Sequence, residues 1–364
     1  RCTHYTLEAL REKYEVHVLG LNYRGDPHTR PYPIYPAWGG GDLFGIGRVI
    51  ELFTKIRPQV VVIQNDPWNI PAYTKEIDQI KDVPRPVLIG AIAIDGKNMR
   101  GYALNDLDHC VFWTKFAQYE AMRGAYTKTS GIFPLGVDLD IYKPLEDPDE
   151  KVKLRMEGIG LPENIARGFF VGNINRNQPR KRLDLTVRYF AEWMHSNNIP
   201  DAYLLLHVAP TGDYGFDLDQ LAGYYNLHGH IIISKPQVFK GLSEEKLVKL
   251  YRCFDVQLNT GVGEGWGLTT MEGMACGIPQ VVGDWSALGE WAKTSARMIP
   301  CEPQCSVNPG MVQLNVIGGI PRAQETITAL HELYSEPQKR AYYRAQGLRL
   351  VQQDQVGVPG QASK

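Results

Sequence analysis

An α/β fold with parallel sheets, built as two domains, is what this sequence predicts on three observations. Apolar, β-rich runs alternate with helical patterns along most of the chain. The runs are continuously apolar, as parallel strands covered on both faces should be. The alternation stops at a charged, proline-containing stretch and then restarts. A length of 364 residues fits two domains, at roughly 100–200 residues each.

In order, the chain opens on a helix followed by a strand at VHVLGL (16–21). A Rossmann-like domain normally opens on a strand and a Gly-rich turn, so a first strand and its loop are expected to be missing. LFGIGRVIELFTKI (43–56) reads as a helix, VVVIQND (60–66) as a strand, and PAYTKEIDQI (71–80) as a helix. VLIGAIAI (87–94) and HCVFWT (109–114) read as strands. PLEDPDEKVKLRMEGIGLPEN (144–164) reads as a linker with a short helix. Strands then follow at 168–174, 202–209, 230–234, 256–259 and 279–283, with helices at 183–196, 243–254 and 268–276. The expected boundaries are a domain over 1–144, a linker over 145–165, a domain over 166–340 and a C-terminal helix and tail over 341–364.

Composition excludes several classes. Hydrophobic residues make up 43% and charged residues 22%, which is ordinary for a globular protein. A net charge of -1 gives no global basic field for nucleic acid or anionic membrane. No apolar run reaches the ~18 residues a membrane-spanning helix needs. Cys2, Cys110, Cys253, Cys276, Cys301 and Cys305 form no C-x-x-C pair and read as reduced thiols of a cytoplasmic protein. Cys301 and Cys305 fall in a Pro-rich loop without a completing His or Cys cluster.

The chemistry concentrates in NTGVGEGWGLTTMEGMACGIPQVVGDWSALGEW (259–291). A strand ends at Asn259, a turn carries Gly261, Gly263, Gly265 and Gly267, and a helix starts near Leu268 or Thr269. Such glycines let backbone N–H groups approach a ligand closely. The helix N-terminus adds unpaired N–H groups and partial positive charge. That suits a phosphate. Glu264 and Glu272 suit something else, because carboxylates repel phosphates and accept hydrogen bonds from sugar hydroxyls. Together they fit a sugar–diphosphate–nucleoside; the alternative is a Gly-rich turn with surface glutamates. A second string, VGNINRNQPRKRLDL (171–185), carries Arg176, Arg180, Lys181 and Arg182 from a strand end into a helix. Cations there can neutralise a diphosphate, Arg bidentately and Lys as a point charge; the alternative is a solvated basic loop.

GEGWGLTTMEGMACGIP resembles the E-x7-E signature of retaining GT-B glycosyltransferases, family 4 especially. The resemblance implies two Rossmann-like domains with parallel sheets facing a central cleft, the N-terminal one on the acceptor side and the C-terminal one binding a nucleotide sugar. It puts Glu272 on the nucleotide ribose and Glu264 beside the transferred sugar. Gly265, Trp266, Gly267, Leu268 and Thr269 would line the sugar and phosphates, with Asn173 nearby. It assigns the donor phosphates to Arg176 and Lys181, with Arg180 or Arg182 as the alternative Arg because this loop is longer than in many members. FPLGVDLDIYKP (133–144) resembles the hinge-side G-V-D-x-x-x-F-x-P, with Leu135 where many members have His and Asp138 read as a cap. In AIAIDGKNMRG (91–101), Asp95 stands where many members have a His facing the sugar. Asp95 is a catalytic candidate, and Lys97, Asn65 and Asp66 are acceptor-side candidates. NRNQPRKRLD, with QNDPWN (64–69), is more loosely similar to glycosyltransferases of large algal viruses, which allows a virus- or phage-encoded protein acting in host cytoplasm. Asp217-x-Asp219 matches the metal-binding D-x-D of the other glycosyltransferase fold only superficially, and His207 reads as a core residue. No cofactor or metal is expected, since basic residues answer the diphosphate charge.

The resemblance implies transfer of a hexose from a UDP- or GDP-sugar to a hydroxyl of a glycan, lipid, protein or modified DNA base. The leaving diphosphate can itself take the acceptor's proton, so no protein base is required. The alternatives are a sugar-nucleotide epimerase or hydrolase of the same fold, or a non-catalytic carbohydrate-binding protein. The donor base would be read by backbone near Ser234 to Phe239.

Overall fold

The computed structural model describes residues 2–21, 23, 25, 27–37, 42, 44–208, 215–234, 242–305 and 315–353. Backbone packing divides the chain into two compact units, Arg1–Ile94 with Met99–Pro134 and Asp95–Asn98 with Leu135–Lys364. The short segment Asp95–Asn98, which follows a strand of the first unit, thus packs as part of the second.

The first unit runs α1 (Cys2–Leu10), β1 (Val18–Gly20), β2 (Ile34–Pro36), α2 (Ile46–Ile56), β3 (Val60–Ile63), α3 (Ile70–Gln79), β4 (Val87–Ile92), β5 (His109–Phe112), α4 (Lys115–Arg123) and β6 (Thr129–Ile132). β1 and β2 pair in parallel, and β3, β4, β5 and β6 form a parallel sheet in that order. Its core gathers Leu88, Ile92, Cys110 and Phe112 from the strands and Ile70, Tyr73 and Ile77 from α3. On α2, Val49, Leu52 and Phe53 fall at helical spacing on one buried stripe. The strand expected over 60–66 ends at Ile63, because Pro67 opens a single 3-10 turn over Pro67–Asn69.

The second unit runs α5 (Pro148–Ile159), α6 (Glu163–Ala166), β7 (Phe169–Ile174), α7 (Leu183–Ser196), β8 (Ala202–His207), α8 (Leu218–Tyr224), β9 (Ile231–Ser234), α9 (Glu244–Tyr251) and β10 (Val256–Asn259). It continues with α10 (Leu268–Ala275), β11 (Gln280–Gly283), α11 (Ser286–Trp291), β12 (Arg297–Ile299), β13 (Cys301–Cys305), β14 (Ile317–Pro321), α12 (Ala323–Ser335) and α13 (Pro337–Gln353). Among the described residues, the parallel sheet runs β12-β11-β10-β7-β8-β9. The unit's first strand therefore lies beside its fourth, the doubly wound order whose ligands bind outside the carboxyl ends of the strands at the switch point. That point is the β7–β10 pair, registered by Val256 on Val171 and Gln257 on Gly172. Gly172 is required there, because an added Cβ would lie 2.3 Å from the Phe254 ring.

Three expectations change. Cys301 and Cys305 do not sit in a loop: they are the first and last residues of β13, which pairs antiparallel with β14. The stretch 145–165, read as a linker, is largely helical and docks within the second unit. Arg155 on α5 is buried, donates to the carbonyls of Ala166, Gly168 and Cys253, and meets Asp255 Oδ2 at 2.7 Å. A polar-looking segment is thus held by a buried guanidinium whose donors are used by carbonyls and a carboxylate. The C-terminal helix starts earlier than expected, at Pro337, and residues 354–364 lie outside the described residues.

Candidate functional site

Two loops leave the switch point side by side. β7 leads through a 3-10 turn at Pro179–Lys181 into α7, and β10 leads through the Gly-rich turn 260–267 into α10. Both turns end on left-handed residues, Arg182 at φ 47 and Gly267 at φ 94. Gly267 has no room for a side chain either, since a Cβ would sit 2.6 Å from Leu288 Cδ2. Buried polar groups join the loops. The Asn173 amide donates to Thr186 Oγ1 (3.0 Å), the Thr186 and Thr260 hydroxyls are 2.6 Å apart, and Thr260 donates to Arg182 O (2.8 Å). Asn173, a donor-binding candidate, also accepts from Asn175 (2.8 Å) and is fully buried in this braid, where it fixes the loops.

Glu264 sits in the turn at 6% exposure. Lys181 Nζ reaches both of its carboxylate oxygens, at 2.5 and 2.7 Å, and is itself only 9% exposed. Burial pushes the Glu264 carboxyl up, but Lys181, Arg180 and the Asn259 amide outweigh it and hold it below the usual carboxylate range. Burial pulls the Lys181 ammonium down to about 8, with Glu264 opposing. Arg180 closes the cluster: it donates to Gly263 O (2.6 Å), lies 3.5 Å from Glu264 Oε2, and its Nε is 3.2 Å from Asp95 Oδ2. Gly263 is fixed as glycine by this packing, since a Cβ would fall 1.8 Å from Asp95 O. The Glu264 backbone is clamped as well. Its N–H donates to Ser286 Oγ (2.9 Å) and its carbonyl accepts from the same hydroxyl (3.1 Å). Ser286 holds a left-handed φ of 49, a strained geometry that the surrounding structure must impose.

Glu272 is held differently. It lies on α10 at 6% exposure, and Tyr251 Oη donates to its Oε2 at 2.7 Å. Side chains on a helix tilt toward its N-terminus, which directs this carboxylate toward the Gly-rich turn. The first-turn N–H groups of α10, at Leu268 and Thr269, have no intrahelical acceptor by helix geometry. The Trp266 ring stacks on Trp291 at 5.5 Å, and its carbonyl accepts from Trp291 Nε1 (2.7 Å), so this side chain shapes the turn from behind.

The structure therefore brings Asp95, Arg180, Lys181 and Glu264 into one alternating-charge cluster, with Gly265 to Thr269 and Glu272 following along the chain. The remaining candidates have other settings. Arg182 is engaged bidentately by Asp184, and Arg176 is exposed on the loop. Lys97 is exposed, with its ammonium 4.4 Å over the Trp285 ring, and its backbone pairs with Ile317. Asn65 and Asp66 belong to the first unit, where the Asn65 side chain bonds Tyr73 Oη, Asn69 and the Asp66 N–H. Asp217 caps α8 by accepting from Gln220 N (2.9 Å). Asp138 likewise accepts from the Asp140 N–H (2.8 Å). His207 is half-buried at the end of β8, 3.1 Å from Ser234 Oγ, and burial lowers its pKa. Residues 235–239 of the expected base-reading stretch lie outside the described residues. Among the described residues, no three His, Cys, Asp or Glu side chains are grouped to hold a metal ion, and no helix is long and apolar enough to cross a membrane.

Sequence reasoning missed Tyr251, Ser286, Asn259 and Thr260. Ser286 and the Asn259–Thr260 pair fall within or beside the Gly-rich stretch but carry no spacing signal. Tyr251 ends an ordinary amphipathic helix.

Residues 166–307 match the family model described as glycosyl transferases group 1. A D-inositol 3-phosphate glycosyltransferase of Acidothermus cellulolyticus is 28% identical over 174 residues, 46% of this chain and 36% of that protein. A GDP-mannose-dependent alpha-(1-6)-phosphatidylinositol monomannoside mannosyltransferase of Mycolicibacterium smegmatis is 27% identical over 188 residues, 49% of this chain and 45% of that protein. The chain spans less than half the length of these relatives. Among solved structures, sucrose-phosphate synthase of Thermosynechococcus elongatus superposes with a TM-score of 0.71 at 15% identity, covering 95% of this chain and 86% of that one. Anabaena HepE in complex with UDP and glucose superposes with a TM-score of 0.69 at 15% identity, covering 97% and 90%. The fold is thus the α/β, parallel-sheet fold of GT-B glycosyltransferases, and the match to the group 1 glycosyl transferase model falls within the second unit.

Proposed function

We propose that this chain is a retaining, metal-independent glycosyltransferase that moves a hexose from a UDP- or GDP-sugar to a hydroxyl of a glycan, lipid, protein or modified nucleic-acid base. The observation that carries the reading is the placement of Glu264, Arg180 and Lys181 on the loops after β7 and β10, with Glu272 on the helix that follows, at the switch point of a domain matching the glycosyl transferases group 1 model. The near-neutral net charge favours an acceptor other than DNA, where phosphate contacts dominate affinity.

In this reading the helix α10 N-terminus and the Gly-rich backbone receive the diphosphate. Lys181 and Arg176 take the charge that develops on it as the glycosidic bond breaks. Glu264 faces the sugar, whose anomeric centre becomes positive, and Glu272 holds the ribose. Asp95 and Arg180 frame the sugar end of the site. Lys181 already pairs with Glu264, so an incoming diphosphate shares that ammonium instead of meeting a bare charge. The leaving diphosphate accepts the acceptor's proton on the same face, so the protein contributes positioning and electrostatics.

The test is incubation with a panel of UDP- and GDP-sugars, with and without candidate acceptors. Free nucleoside diphosphate and the anomeric configuration of the product are read out. The expected result is release that depends on acceptor, with retained configuration. Equal release without acceptor identifies a hydrolase, inversion removes the retaining assignment, and neither release nor binding of any donor refutes the proposal.

A further inference from the structure

We infer that Tyr251 is the positioning residue for the ribose: its hydroxyl, delivered by α9, orients the Glu272 carboxylate that takes the ribose hydroxyls. The inference rests on the reading of Glu272 above and extends it to a residue on a different element, 21 positions away.

The geometry is built from both sides. Ser243 caps α9 by accepting from Lys246 N, and the helix buries Leu247, Val248, Leu250 and Tyr251. The Tyr251 ring is fully buried and is met edge-on by Phe254 (6.2 Å, 79°) and by Tyr142 (6.3 Å, 65°), which fixes its plane. On the other side, α10 is pressed onto β10 and β11. A Cβ on Gly273 would lie 2.2 Å from Gln257 Oε1 and 2.5 Å from Gln280 Nε2. The helix bearing Glu272 therefore cannot slide or rotate without breaking that contact. Between these two fixed frames the phenol and the carboxylate meet at 2.7 Å, a short charge-assisted bond. Burial and the Glu272 charge hold the Tyr251 phenol well above its usual pKa, so it stays a donor.

The chemistry gives this bond a purpose beyond packing. A glutamate has three side-chain torsions, and its ligands here would be two small hydroxyls with directional demands. Anchoring one carboxylate oxygen selects a rotamer before ligand arrives, which lowers the ordering cost of binding. The carboxylate keeps acceptor capacity, because an ionised carboxylate offers about four lone-pair sites and the phenol takes one.

The experiment measures Kd for UDP and GDP and for their 2′-deoxy and 3′-deoxy counterparts, with wild type, Tyr251→Phe, Glu272→Gln and the double variant. Melting temperature is recorded, and all binding is measured well below it. Tyr251→Phe keeps the ring, so its packing survives. The expected result is that Tyr251→Phe weakens binding of the ribonucleotide about tenfold, as loss of a hydrogen bond to a charged group does, while the deoxy analogues change little. In the Glu272→Gln background the same substitution is expected to have no further effect on the ribo-to-deoxy ratio. If Tyr251→Phe weakens all the nucleotides equally, or none of them, while Glu272→Gln loses ribose discrimination, Tyr251 is structural and the inference fails with the functional reading intact. If Glu272→Gln keeps wild-type discrimination, the ribose role of Glu272 falls and the inference with it.

Discussion

The Gly-rich turn and the helix that follows it hold one buried glutamate each, eight positions apart, by opposite means. Glu264 in the turn is held by charge: Lys181 on both oxygens, Arg180 beyond, and a backbone clamped twice by Ser286. Glu272 on the helix receives a neutral phenol. Both are equally buried, so exposure does not separate them. The difference lies in what each environment does to a nearby ligand. The turn is a network of alternating charges, which in the proposed function would redistribute when a diphosphate arrives and a sugar cation develops. The helix site is a hydrogen-bond acceptor whose proposed ligands, the ribose hydroxyls, would keep the same charge throughout.

The largest expected effect breaks the charged side. Lys181→Ala removes one partner of a buried pair and leaves Glu264 with Arg180 and the Asn259 amide. Turnover is expected to fall by about a hundredfold or more, as for loss of a preorganised group at a developing charge. Read as a polar-loop residue, Lys181 would cost little stability on removal. Its burial changes that, and a loss of about 3 kcal/mol is expected, the low end for breaking a buried pair because Arg180 remains. Denaturant unfolding alongside turnover per folded molecule checks both, and a variant with wild-type turnover per folded molecule contradicts the assignment.

A smaller effect sharpens the same side through pH. The depressed Lys181 pKa means the free protein loses this positive charge as pH rises through about 8. Donor kcat/KM should therefore fall above about pH 8, with Lys181→Arg flattening that limb because a guanidinium stays charged. The stability sign is the reverse. A lysine protonating near 8 when folded but at 10.5 when unfolded makes the unfolded chain bind more protons between those values, so this group's contribution to stability rises across that window. A profile flat to pH 10 contradicts the account.

The smallest expected effects are nulls. Arg182→Ala should change donor KM less than twofold, since its guanidinium is occupied by Asp184; a change of tenfold or more would reinstate it as the phosphate Arg. A nucleoside diphosphate should raise the melting temperature by mass action, equally with and without chelator. Loss of that shift with chelator would mean a metal is needed.

What the sequence made legible follows from the same physics. Strands β7, β8, β10 and β11 could be placed closely because buried parallel strands are continuously apolar. The start of α10 could be placed at Leu268 or Thr269 by the glycines before it, and it lies at Leu268. The two glutamates and the basic loop stood out because their chemistry conflicts with a turn's bland requirements. What stayed hidden is long-range pairing. Nothing in the spacing brings Asp95 to Arg180, or Tyr251 to Glu272, and Lys181 in a polar loop gives no sign of being buried. Arg155, inside a charged stretch, likewise gave no hint that it is a core residue. Arg182 looked equivalent to Arg180 until Asp184, two residues on, was seen to occupy it.

The most direct test of the contrast between turn and helix is steady-state kinetics of Glu264→Gln and Glu272→Gln, with donor varied at saturating acceptor. Gln keeps size and hydrogen-bonding capacity while removing charge. In the proposed reaction Glu264 faces charge that exists only in the transition state, so its variant should lose mainly kcat. The ribose hydroxyls do not change during reaction, so the Glu272 variant should raise donor KM with the smaller loss of kcat. Equal losses of kcat, or the reverse order, would contradict the division of roles between the charged turn and the phenol-held helix.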